Sequence, residues 1–137
     1  MDRLMYRAMK EAPDHLPELG RSSRMLGVRV SRPGAVPEKP PQFDVYPDLD
    51  GYVAPRWGMS VAMDDPRGLP RHRRPQSLGG EGRDPVFWLL VSLLGKGLSV
   101  YEDRAPHAVI EPAERCPLMT YEAALSATRP SWRPHHV

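Results

Sequence analysis

Seventeen prolines, spread from Pro13 to Pro134, set the first limit on what this chain of 137 residues can become. That is more than twice the ordinary usage of ~5%. Each proline lacks a backbone N–H, so none is tolerated inside a helix or a central ladder. Long helices are therefore excluded. What remains is a fold of short strands joined by fixed loops. The length suits one domain, residues 1–137, with a modest core.

The apolar residues fall in short runs that read as strands. In residues 3–9 alternate positions separate, with Leu4, Tyr6 and Ala8 on one face and Met5, Arg7 and Met9 on the other. Residues 25–30 (Met-Leu-Gly-Val-Arg-Val) suggest a second short strand, and residues 58–63 (Gly-Met-Ser-Val-Ala-Met) another. The continuous run at residues 86–94 predicts a central strand buried on both faces, passing into a helical turn near Leu93. Leu98 to Tyr101 resumes a strand. His107 to Glu111 is the last, and Pro112 should end it. A short helix is expected over residues 121–127, with Thr120 as its N-cap. The fold class is α+β.

Two long loops lie between the strands. Residues 33–49 carry five prolines and have polyproline character. Residues 64–84 carry Arg67, Arg71, His72, Arg73 and Arg74. Loops this long in a small domain commonly act as lids. Asp48-Leu-Asp-Gly opens like a calcium loop, but the later ligand spacing is missing.

Composition excludes several classes. The net charge of +2 does not argue for nucleic acid. Arginine outnumbers lysine 16 to 3, which suits bidentate recognition of phosphate or carboxylate and equally reflects genomic base composition. One cysteine, Cys116, cannot build a disulfide framework. No apolar run approaches the ~20 residues of a membrane span, and no apolar signal-peptide core is expected. The chain is expected to work in a cytoplasm, that of its producer or of a cell it is delivered into.

Three polar residues stand on three predicted strands: Arg7, Ser60 and Glu111. Each has a structural reading, namely a buried stem, a backbone-satisfied hydroxyl and a solvated carboxylate. Each also has a functional one, and both stay open here.

The order Arg7, Ser60, Glu111, with long loops between, resembles the ADP-ribosyltransferase fold, and most closely the type VI secretion effector toxins of that kind. The segments that carry the likeness are residues 4–9, 24–29, 58–61, 69–75 and 107–113, across roughly residues 3 to 133. The resemblance implies a small split β-sheet core, an NAD cofactor, and a toxin acting on an intracellular target macromolecule. Glu111 would stabilise the oxocarbenium-like charge as the nicotinamide bond breaks. Arg7 would hold ribose or pyrophosphate oxygens, and Ser60 would support the nicotinamide-side wall or orient Glu111. Arg24 and Arg29 would meet phosphate. Tyr6, Gly58 and His107 complete the implied cofactor set. A cognate immunity protein is expected over the cleft, touching loops 33–49 and 64–84. The chain departs from the pattern in having one Ser and one late Glu in place of the fuller motifs. Two other readings remain: an RNA-directed 2′-phosphotransferase, motivated by the basic loop 67–74, and a non-catalytic binding domain with a degenerate NAD cleft.

Overall fold

The computed structural model describes residues 2–136. Its strands are β1 (Leu4–Ala8), β2 (Tyr52–Val53), β3 (Met59–Met63), β4 (Val86–Leu90), β5 (Leu98–Arg104), β6 (His107–Pro112), β7 (Cys116–Pro117) and β8 (Arg133–Pro134). One helix, α1, spans Leu118–Ala127. Six strands form one sheet in the order β5-β6-β3-β1-β4-β8, and β2 pairs with β7 in a small second sheet. Every strand pairing is antiparallel. The class is α+β, as the spacing of apolar runs predicts.

The alternation in β1 divides the interior. Met5 and Met9 join the main core with Phe87, Leu89, Met59, Ile110 and Trp132. Tyr6 and Ala8 face the other way, into a smaller cluster with Ala62, Leu69 and Val86. Full burial of Phe87 alone stabilises the fold by about 1.5–3 kcal/mol. Helix α1 closes the main core by burying Tyr121 and Leu125, which lie one turn apart on one face. The smaller cluster is covered by the loop that carries Leu69.

Several expectations need correction. Residues 25–30 form no strand; they make only isolated bridges, Leu19 with Leu26 and Val30 with Val45. The reason lies in their carbonyls. Those of Met25 and Gly27 accept from the Arg7 guanidinium and have no neighbouring strand to accept from. The helix starts at Leu118, behind Pro117, and not at Thr120. Strand β6 is internal, and it runs through Pro112 opposite Leu98 of the edge strand β5. The run at residues 86–94, by contrast, follows the expectation: a strand to Leu90 and a helical turn at Val91–Leu93.

The loops are folded against the sheet. Gly34 N–H donates to Pro47 O at 2.8 Å, and Asp44 N–H to Arg29 O at 2.9 Å, so the proline-rich loop returns on itself. Asp48 Oδ1 accepts from the N–H groups of Asp50 and Tyr52, which makes Asp48-Leu-Asp-Gly a side-chain-closed turn.

Candidate functional site

A cavity of about 390 Å³ lies at the end of the sheet where β1, β3 and β6 meet, under residues 68–73 of the second long loop. That volume falls within the range of small-ligand sites. Sheet geometry explains the place. Ser60 pairs with Val109 and Ala62 with His107, so Ser60, Ala62 and His107 share one face. Gly68 lets the covering loop close over them, since a Cβ there would lie 2.9 Å from the Pro106 ring.

The cavity gathers four of the residues singled out in the sequence: Arg7, Arg29, Ser60 and His107. It also gathers Asp44, His72, Arg73 and Arg104. Among the described residues, four lining guanidiniums therefore face one lining carboxylate, Asp44. Asp44 is engaged by Arg29, at 3.0 Å through the guanidinium and 2.7 Å through the backbone N–H. The contact raises the Arg29 pKa above its ordinary value. Arg73 donates to Ser23 Oγ and lies 3.8 Å from Asp84. Arg104 and His72 have no side-chain partner among the described residues. The excess of positive charge favours an anionic ligand.

Arg7 proves to be committed elsewhere. Only 6% of it is exposed. Its guanidinium donates to Ser60 O at 2.8 Å and to Met25 O at 3.0 Å, with longer contacts to Ser22, Ser23 and Gly27 carbonyls. No carboxylate among the described residues bonds to it. Burial pushes its pKa down to about 10, which leaves it charged at neutral pH. Arg7 thus floors the cavity and pins residues 22–27 to β3.

Glu111 does not line the cavity. Its carboxylate accepts from Ser99 Oγ at 2.7 Å and from Arg56 N–H at 2.7 Å. Arg56 has a left-handed φ of 78°, a conformation that non-glycine residues hold only when locked. Glu111 is that lock. It stays on the Ser60 face, one diagonal step away at roughly 7–8 Å by strand geometry.

The remaining sequence candidates are structural in this arrangement. Gly58 lets backbone approach backbone: a Cβ would lie 2.1 Å from Ile110 O. Tyr6 sits in the smaller cluster, edge-on to His135 at 5.4 Å. Arg24 forms a bidentate pair with Asp84, both contacts at 2.7 Å. Much of the basic loop is paired as well, Arg67 with Asp65 and Arg71 with Glu81.

Sequence reasoning missed Asp44, Arg104 and Asp103. Asp103 lies four residues before His107 across the Ala105-Pro106 turn, and its Oδ1 is 2.6 Å from His107 Nδ1. The signal was present as an acid and a histidine flanking a tight turn. Among the described residues no cluster of three or more His, Cys, Asp or Glu could hold a metal ion. No described helix is long and apolar enough to cross a membrane. No protein family, curated protein or solved structure matches the chain.

Proposed function

We propose that this protein is an NAD-dependent ADP-ribosyltransferase of the toxin type, acting on a macromolecule in the target cell and neutralised by a cognate immunity protein. The observation that supports it most is the cationic cavity that assembles Arg29, Ser60 and His107 from separate segments. NAD is the donor substrate in this reading. Its pyrophosphate would lie against Arg29, Arg73 and Arg104, where charge-assisted bonds are strongest. Its nicotinamide-side ribose would lie over Ser60, between His107 and Glu111 on β6. The Ser99 and Arg56 contacts hold that carboxylate still, which suits a group that must meet developing positive charge without reorganising.

The RNA reading draws less support, because Arg67 and Arg71 are already paired within their own loop. An immunity partner would fit over loops 33–49 and 64–84, with Arg104 and His72 free to meet an acidic surface. Co-expression with neighbouring genes tests it: a small acidic protein should co-purify and restore growth.

The central experiment titrates NAD into the protein by calorimetry, then follows transfer of labelled ADP-ribose in a cell lysate. Binding and transfer are expected, with transfer lost in Glu111→Ala. Transfer that survives Glu111→Ala would remove Glu111 from the chemistry. An absence of NAD binding would remove the class.

A further inference from the structure

The β5–β6 hairpin carries an irregularity next to the cavity. Tyr101 pairs with Val109, but Arg104 pairs with His107, so β5 holds one extra residue in that stretch. Such bulges re-aim side chains and are frequent beside active sites. Here the bulge sets two consecutive residues beside His107. Asp103 takes its Nδ1 at 2.6 Å, and Arg104 lines the cavity with it. The other ring nitrogen, Nε2, has no hydrogen-bond partner among the described residues.

From this geometry we infer that His107 is the proton acceptor of the cavity, oriented by Asp103, and that the nucleophile it serves is a hydroxyl. The inference rests on the transferase reading above. A carboxylate on Nδ1 fixes the tautomer that carries hydrogen there and leaves a lone pair on Nε2. A nucleophile that is already an anion needs no such group. A hydroxyl, water included, does, because it must lose its proton as it attacks. In the step, the hydroxyl oxygen forms a bond to the anomeric carbon of the donor's ribose. The bond from that carbon to the nicotinamide nitrogen breaks, and its electron pair leaves with neutral nicotinamide. The hydroxyl proton passes to His107 Nε2. Asp103 is a positioning residue throughout.

Three measurements on the full chain test this. Long-range proton–nitrogen NMR correlation should place the neutral-ring proton of His107 on Nδ1 in the parent and redistribute it in Asp103→Asn. NAD binding should be unchanged in Asp103→Asn, and both Asp103→Asn and His107→Gln should keep the parent's circular dichroism, because the pair flanks the exposed Ala105-Pro106 turn. The kcat for ADP-ribose release to water, or for transfer to a lysate hydroxyl, should fall at least tenfold in each, with KM for NAD in Asp103→Asn within twofold of the parent. The two products separate water from a macromolecular hydroxyl as the acceptor. A ring proton on Nε2 in the parent overturns the inference, as does a kcat in both variants equal to the parent's. A parent protein that cleaves no NAD at all overturns the transferase reading itself, and the base falls with it. Loss of turnover only through a raised KM overturns the base and leaves the transferase reading standing.

Discussion

Tyr121 donates its hydroxyl hydrogen to the backbone carbonyl of Ile110 at 2.6 Å, joining the helix to strand β6. The same oxygen accepts from Met59 N–H at 3.1 Å. Both groups are buried, and neither has water to turn to. Burial also holds the phenol well above its ordinary pKa, so it stays protonated at physiological pH. Tyr121→Phe is expected to cost about 2–3 kcal/mol, because it strands a carbonyl and an amide without partners. Urea unfolding monitored by Trp132 fluorescence checks it. A change under ~0.5 kcal/mol would mean that the oxygen is dispensable.

Arg7 offers a sharper case. Removing a cation from a ligand pocket should leave the fold intact, but this guanidinium holds Met25, Ser60 and their neighbours by their carbonyls. Arg7→Met keeps the stem and deletes the donors. It is expected to destabilise by about 3 kcal/mol, with Arg7→Lys failing in the same direction because an ammonium cannot fork. The unfolding midpoint in denaturant reads it. Full stability in Arg7→Met would return this residue to the list of ligand contacts.

Arg104 is the contrasting residue. It lines the cavity and lends its guanidinium to nothing else among the described residues. Arg104→Ala should leave stability within about 0.5 kcal/mol. It should weaken binding of ADP about tenfold, with the difference shrinking at high salt. Calorimetry at two salt concentrations measures both. Equal affinity in parent and variant would show that the anion binds elsewhere.

Asp84 gives the acid dependence. Arg24, with help from Arg73, lowers its pKa from the ordinary 3.8. A carboxyl depressed in the folded state stabilises fully above its unfolded value. That contribution disappears as pH falls through the lower, folded value. Asp84→Asn should therefore cost about 2 kcal/mol at neutral pH. The gap between variant and parent should close below pH ~3.8. A gap that persists undiminished at pH 2 would indicate packing and not charge.

The legible parts of the fold were those with a single periodicity. Leu4 to Ala8 alternate cleanly, and the two clusters divide by that alternation. Val86 to Leu90 read as a buried strand because nothing polar interrupts them. Residues 25–30 look equally strand-like, yet the Met25 and Gly27 carbonyls go to a side chain from another strand, a long-range fact that no local window holds. Thr120 is a good cap by chemistry, but Leu118 and Met119 had already entered the helix behind Pro117. In the site, Ser60 and His107 were readable as residues on strand faces. Asp44 and Arg104 were not, because what makes them neighbours is the return of one loop and the bulge of one hairpin. Glu111 was readable as a residue of consequence. Its bonds to Ser99 and to the amide of a strained Arg56 arise only when the β5–β6 pairing and the turn at Arg56 come together.

The central place of β1 imposes a timetable on synthesis. Tyr6 must wait for Ala62 on one side and Trp88 on the other. At translation speeds of ~5–20 residues per second, the first strand leaves the ribosome seconds before either partner exists. Met5 and Met9 spend that interval in water, and Arg7 spends it fully hydrated with none of its carbonyls in place. Pairings this distant close slowly. The order of strands alone therefore keeps these groups in water until their partners are made, and the cavity is complete only after β6 has emerged.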